Sequence, residues 1–152
     1  MKKNLRTILL WACAAAACVP ALAQFRKADD AIKYRQSVMF IMGTHLDSRL
    51  RPMTSGRSPF DPKAALESAE VVAQLSRLPW PAFGPGTDQG MTDAKPAVWT
   101  EQAKFKDLAD KMQAETAKLA VAARAGDLEG LKAAYLATAK SCKACHDVYT
   151  TQ

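Results

Sequence analysis

The chain has 152 residues and a formal net charge of +6 at pH 7, with 49% hydrophobic and 24% charged residues. This length is sufficient for one domain with a hydrophobic core. Its basic residues are scattered along the chain and are not interleaved with aromatic side chains, which excludes nucleic acid as an expected partner.

The N-terminus has the features of a secretory signal peptide. Lys2, Lys3 and Arg6 precede an apolar run that ends in Ala21-Leu22-Ala23. A charged region, an apolar region and an A-x-A site in this order predict export and cleavage after Ala23, with no membrane association afterwards. An uncleaved membrane anchor is the alternative.

Removal of residues 1–23 changes the charge and the cysteine content of the mature chain, residues 24–152. The formal charge falls from +6 to +3, because the leader contains three basic residues and no acidic residue. Of the four cysteines only Cys142 and Cys145 remain. A disulfide between residues this close would restrict the unfolded chain little, so a structural disulfide is not favoured.

Four amphipathic segments follow, and none of the mature chain shows the alternation typical of strands. The first is predicted to run from about residue 29 to residue 50. Asp29 and Asp30 are expected to cap its start, and Arg51-Pro52 is expected to end it. Its apolar residues recur at helical spacing: Ile32, Met39, Met42 and Leu46.

The second segment begins at Asp61-Pro62, an N-cap followed by proline at the first helical position, and is expected to close at Pro79. The connector that follows it reads LPWPAFGPGTDQGMTDAKP and is too rich in proline and glycine for a regular helix. It nevertheless carries Trp80 and Phe83. An aromatic pair in a loop needs an apolar partner to cover it.

The third segment is predicted to start near Pro96 or Thr100 and to end at Gly126, a typical C-terminal cap. Asp127 then caps the fourth segment, which runs almost to the end of the chain. Because this connection is so short, the last two helices should be antiparallel neighbours. The sequence therefore predicts an all-α fold, an antiparallel four-helix bundle formed by residues 24–152.

The fourth segment carries the motif C-K-A-C-H. Cys142, Cys145 and His146 stand at i, i+3 and i+4 and so share one face of a helix. C-x-x-C-H is the attachment pattern of c-type haem, in which two thiols form thioethers with the haem vinyl groups. A thioredoxin-like pair needs a βαβ context, and structural zinc needs four ligands, whereas His45 is the only other histidine. The motif predicts one covalent haem c, with His146 as the axial iron ligand.

The mature sequence resembles the cytochrome c′ family, the class II c-type cytochromes. The resemblance rests on QFRKADDAIKYRQSVM, LPWPAFGPGT and AGDLEGLKAAYLATAKSCKACHDVY. It implies a periplasmic, usually dimeric haem protein with five-coordinate iron. The opposite face of the haem is then an apolar pocket that admits small gases, nitric oxide and carbon monoxide.

The resemblance also implies roles for individual residues. Cys142 and Cys145 match the thioether cysteines, and His146 matches the proximal ligand. The remaining expected haem contacts are Arg35 and Gln36 at the propionates, Met39 over the iron, Trp80 and Phe83 along the ring, and Asp93 as a weaker contact. Alternatively, Arg35 extends to solvent at the helix edge, and the two aromatic residues belong to an ordinary core.

The sixth coordination position leaves two functions open. Methionine sulfur binds haem iron well, so Met39 as sixth ligand would make the protein a low-spin electron carrier that exchanges electrons with redox partner proteins. If Met39 only crowds the iron, the haem is five-coordinate and binds gases. The segment LPWPAFGPGT resembles that of the high-spin members of the family, which favours the second hypothesis. Met42 is expected to be core filler, and His45 a surface or propionate-side residue rather than a ligand.

Two further expectations concern activity and assembly. No cluster of acid and base residues accompanies the haem motif, so no enzymatic activity is expected. The first helix has apolar residues outside its main stripe, namely Val38, Phe40 and Ile41. One side of a bundle cannot bury all of them, which predicts a homodimer.

Overall fold

The computed structural model describes residues 25–151. The signal peptide and the cleavage site after Ala23 therefore lie outside the described residues. The elements are α1 (Ala28–Gly43), a π-helical segment (Thr44–Leu50), α2 (Arg51–Thr54), α3 (Pro62–Leu75), a 3₁₀ turn (Trp80–Phe83), α4 (Ala97–Thr100), α5 (Gln102–Ala125) and α6 (Leu128–Tyr149). Within residues 25–151 the only extended pairing is an isolated bridge between Ala94 and Thr150.

The first bundle helix continues through Pro52, and the predicted end at Arg51-Pro52 is wrong. α1, the π-helical segment and α2 follow one another without a break as far as Thr54. Inside a regular α-helix a proline ring clashes with the carbonyl four residues earlier. Here the N–H of Arg51 reaches back five residues to the carbonyl of Leu46, and this wider turn directly precedes the proline.

The predicted caps are confirmed for the later helices and wrong for the first. Asp61 accepts two backbone N–H bonds at the start of α3, and Asp127 accepts two at the start of α6. Gly126 ends α5 with a left-handed φ of 68°. No side chain caps α1, and Asp29 and Asp30 lie within its first turn, where their charges favour the positive end of the helix dipole.

Two other boundaries differ from the prediction. The second bundle helix ends at Leu75, before Pro79, and the Ser76 hydroxyl bonds the Ala73 carbonyl at 2.8 Å in its last turn. The third helix is divided, because the backbone of Glu101 leaves the helical conformation between α4 and α5.

The long helices pack around a continuous apolar core. α5 and α6 form the predicted antiparallel hairpin, and α3 contacts both α5 and the π-helical segment. The main cluster of buried residues is Leu46, Leu50, Met53, Ala65, Ala69, Val72, Leu119, Ala123, Leu131 and Tyr135. A smaller cluster comprises Val38, Met42 and Met112, and Cys142 packs against both.

Val38 therefore belongs to the core, and its predicted place outside the apolar stripe is wrong. Phe40 and Ile41, in contrast, are 73% and 41% exposed. In the part of the chain that the structure describes, no helix is both long and apolar enough to span a bilayer.

Candidate haem site

A cavity of about 480 Å³ lies between α1, the 3₁₀ turn and the end of α6. Except for Cys142, it brings together all the residues predicted for the site: Arg35, Gln36, Met39, Trp80, Phe83, Asp93, Cys145 and His146. Cys142 lies one turn before Cys145 on α6 and is partly buried against the core. We refer to this space as the haem cavity.

The two thiols and the imidazole lie in the last turns of α6. Burial raises the pKa of the Cys142 thiol, and burial together with the neighbouring Cys142 raises the pKa of Cys145 to about 11. Before haem is attached, both thiols are therefore protonated at neutral pH. The backbone N–H and the hydroxyl of Thr150 both donate to the His146 carbonyl, at 3.1 and 3.0 Å, which fixes the turn that carries the imidazole.

Arg35 is only 2% exposed, so the expectation that it could extend to solvent is wrong. Its Nη1 donates to the Ala82 carbonyl at 2.8 Å and to Thr87 Oγ1 at 3.1 Å. Its Nη2 donates to the Thr87 carbonyl at 2.9 Å and to Thr92 Oγ1 at 2.8 Å. The guanidinium carbon also lies 4.5 Å from the Phe83 ring centroid. Burial lowers the pKa of this arginine.

Residues 87–95, here called the strap, form hydrogen bonds both to α1 and to the end of α6. Besides its bonds to Arg35, the strap pairs with the C-terminal segment through two backbone bonds of 2.9 Å. One runs from Lys95 N–H to the Tyr149 carbonyl, and the other from Thr151 N–H to the Asp93 carbonyl. These bonds hold Asp93 at the wall of the haem cavity, close to the turn that carries the motif.

The strap also packs closely on α1. Gln36 Nε2 donates to the Met91 carbonyl at 2.9 Å. Gly90 has a φ of +116°, and a Cβ at this position would meet Ile32 Cδ1 at 3.2 Å and Asp29 Oδ1 at 3.3 Å. Only glycine meets both the conformational and the steric requirement without strain.

Aromatic side chains form one wall of the haem cavity. Phe105 is at its centre, with ring centroids 4.9 Å from Phe83, 5.7 Å from Trp80 and 5.3 Å from Tyr149. Trp80 Nε1 donates to the Ser76 carbonyl at 2.7 Å, which satisfies its polar group. From the sequence, no role in the site was predicted for Phe105 or Tyr149. The available signal for Tyr149 was its spacing of i+3 from His146 on the same helix.

Met39 and His45 are separated by the fold. Met39 is half-buried, lines the haem cavity and packs against the cluster of Val38, Met42 and Met112. His45 lies in the π-helical segment and is not among the residues that line the cavity. Burial and the nearby Arg49 lower the pKa of His45.

The chemistry of the cavity fits a porphyrin. Its lining is largely apolar and aromatic, as is usual for cofactor sites, and its few polar groups lie on α1, on the strap and at the end of α6. A thiol, the group that forms a thioether with a haem vinyl group, and an imidazole, a haem iron ligand, both line it. Among residues 25–151 no group of three or more histidine, cysteine or carboxylate side chains is placed to hold a metal ion by itself.

Fold and site together define a c-type haem protein built on a four-helix bundle. The family described as cytochrome C′ matches residues 30–150. The chain belongs to the cytochrome c′ family and carries the covalently attached haem c of that family. The predictions of family, fold class and cofactor are thereby confirmed.

Two known relatives match this chain over nearly their whole length. The cytochrome c′ of Rubrivivax gelatinosus is 48% identical over 127 residues, which are 83% of this chain and 98% of the relative. That of Alcaligenes xylosoxydans xylosoxydans is 46% identical over 126 residues, 83% of this chain and 97% of the relative.

Solved structures give the same result. The crystal structure of the Rubrivivax gelatinosus protein superposes with a TM-score of 0.81 at 48% identity, covering 84% of this chain and 99% of that chain. A nitric oxide complex of a leucine-to-alanine mutant from Alcaligenes xylosoxidans has a TM-score of 0.79 at 44% identity, covering 85% and 99%. A carbon monoxide complex of a leucine-to-glycine variant of that protein has the same score and identity, covering 85% and 100%.

Proposed function

We propose that this protein is a periplasmic cytochrome c′ whose haem iron is five-coordinate at rest and binds nitric oxide and carbon monoxide. The observation that carries the proposal is the largely apolar haem cavity, which Cys145 and His146 line from α6. When bound, the haem supplies an open iron position and one-electron redox chemistry.

Cys142 and Cys145 hold the haem through thioethers, and His146 coordinates the iron from the same helix. This assignment is supported by the i, i+3, i+4 spacing on α6 and by the exposure of Cys145 and His146 to the haem cavity. The bonds of Thr150 to the His146 carbonyl orient the turn that presents the imidazole.

Arg35, Gln36 and Asp93 act at the propionate side of the haem. Arg35 contributes a buried positive charge while its terminal nitrogens hold the strap. Gln36 on α1 and Asp93 on the strap both line the haem cavity. Trp80 and Phe83 pack along the porphyrin, consistent with their place in the aromatic wall.

The preference for uncharged gases is supported by the bonds of Arg35, which lies one helical turn before Met39 on α1. The donors of Arg35 are engaged by Ala82 and the strap, so they do not stabilise a polar iron-bound ligand. Oxygen and anions depend on such donors or charges, whereas carbon monoxide and nitric oxide bind in apolar surroundings. The gas complexes of the Alcaligenes xylosoxidans variants support the extension to this chain.

The second candidate is a low-spin electron carrier with Met39 as the sixth ligand, serving redox partner proteins. It is favoured by one observation, that Met39 lines the same cavity as His146. The optical spectrum of the purified holoprotein separates the two functions. We expect a broad high-spin Soret band that shifts when carbon monoxide or nitric oxide is added. Sharp low-spin bands that do not respond to carbon monoxide would establish the electron carrier instead.

The protein forms a homodimer through α1. Phe40 and Ile41 are exposed on this helix, whereas Val38 is buried. Two large exposed apolar side chains at adjacent positions are suited to pack against a partner helix. Phe40 also lines the haem cavity, so Ile41 is the cleaner position for a test of the interface.

Export to the periplasm rests on residues 1–23 as a cleaved signal. N-terminal sequencing of protein isolated from the periplasm should begin at Gln24. Recovery in the membrane fraction with Met1 intact would support the uncleaved anchor.

A further inference from the structure

A second cavity, of about 450 Å³, lies behind the aromatic wall of the haem cavity. Four side chains line both spaces: Trp80, Phe83, Val98 and Phe105. The ring of Phe105 contacts those of Phe83 and Trp80 at centroid distances of 4.9 and 5.7 Å. The two cavities are therefore separated by one layer of side chains.

The second cavity extends from this wall to the protein surface along α5. Its other lining residues are Gln102, Ala103, Lys106, Ala109, Asp110 and Gln113. Ala109 is buried, whereas Ala103 is exposed, so the two alanines mark the inner and the outer part of the cavity. Lys106 and Asp110 are exposed and form an ion pair with each other, which leaves the inner part apolar.

This distribution of polar and apolar groups selects the kind of molecule that fits. Nothing at the inner end offers a countercharge to an ion, because the charged pair is at the surface and its members neutralise each other. Apolar cavities of roughly 150 Å³ in proteins take up xenon and benzene, so the second cavity has ample space for a diatomic gas. A gas also needs a path to the iron that the haem itself does not fill.

We propose that the second cavity is an entry and holding site for uncharged diatomic gases on their way to the haem, and that Phe105 is the side chain that separates it from the haem cavity. The proposal rests on the proposed gas-binding function and adds the route. Phe105 is suited to this role because its ring is half-buried and lies between the two spaces.

The test uses the holoprotein and two matched tryptophan variants of α5. Ala103→Trp fills the outer part of the second cavity, and Ala103 does not line the haem cavity. Ala114→Trp is the control, because Ala114 is an exposed alanine of the same helix and lines neither cavity. Both positions are exposed, so both variants should fold.

Two measurements are made on the three proteins. In crystals pressurised with xenon, we expect an anomalous peak between Phe105 and Ala109 in the wild type and in Ala114→Trp, and none in Ala103→Trp. After flash photolysis of the carbon monoxide complex, Ala103→Trp should lower the bimolecular association rate by about threefold or more, as a blocked access path requires, and Ala114→Trp should not.

The proposal is overturned if no xenon binds in the second cavity, or if the two variants have the same carbon monoxide association rate. Failure of the gas-binding function itself gives a different pattern. The wild-type spectrum would then not change with carbon monoxide, although xenon still binds, and the cavity would be an apolar site without a route to iron.

Discussion

Replacing Arg35 with methionine tests whether the strap is held by a buried guanidinium. The substitution keeps an apolar stem of similar length but removes the four hydrogen bonds to Ala82, Thr87 and Thr92. It leaves two carbonyls and two hydroxyls without these donors, in a region where the arginine is 2% exposed.

The magnitude follows from the strength of charged hydrogen bonds. Each contributes roughly 1.5–3 kcal/mol, but bonds from one group are not additive. We expect Arg35→Met to lower the free energy of unfolding by about 3–5 kcal/mol, because four acceptors at a buried position lose their donors together. Arg35→Lys keeps the charge but cannot make the planar pattern of bonds, and should lose about 1–2 kcal/mol.

The assay is denaturant unfolding of the holoprotein at pH 7, together with hydrogen exchange of the strap amides. Gln36→Ala is the matched control, because Gln36 is the next residue of α1, is exposed and makes one bond to the strap. It should cost less than about 1 kcal/mol. A loss in Arg35→Met no larger than in Gln36→Ala, with unchanged exchange of the strap, would refute the role assigned to the guanidinium.

Three further predictions concern the iron, the dimer and the strap. Met39→Leu should leave the spectrum of the ligand-free protein unchanged, whereas loss of low-spin bands would identify methionine as a ligand. Ile41→Glu should lower the dimer fraction in sedimentation velocity, and Leu136→Glu, at an apolar position of α6 that is 66% exposed, should not; equal dimer content in both variants would move the interface elsewhere. Gly90→Ala should cost about 1–2 kcal/mol because its φ is +116° and its Cβ would be crowded. Gly43→Ala, in α1 with nothing within 4 Å of its Cβ, should instead stabilise by about 0.5–1 kcal/mol, and equal signs in thermal unfolding would contradict this.

Much of the fold could be predicted because its signals are local. Asp61, Gly126 and Asp127 mark helix ends through bonds to residues two or three positions away, and these marks are confirmed. Pro52 misled for the same reason. Its local effect is to end a helix, but a preceding π-helical turn accommodates it, and nothing in the nearby sequence announces that turn.

The site divides in a similar way. The spacing of Cys142, Cys145 and His146 is a local pattern and predicted the cofactor. The partners of Arg35 lie 47 to 57 residues away, in the 3₁₀ turn and in the strap, and the path of the strap depends on Gly90 and on the end of α6. Such contacts have no period or spacing to read, so the sequence identified the arginine but not what it holds.

Covalent attachment of haem to α6 is the claim on which the remaining conclusions depend, and intact-mass spectrometry of the purified protein under denaturing conditions measures it directly. We expect a single species with the mass of residues 24–152 plus one haem, and loss of the covalent adduct when both Cys142 and Cys145 are replaced by alanine. If protein purified with its haem absorbance intact has only the mass of the polypeptide under denaturing conditions, covalent attachment is contradicted.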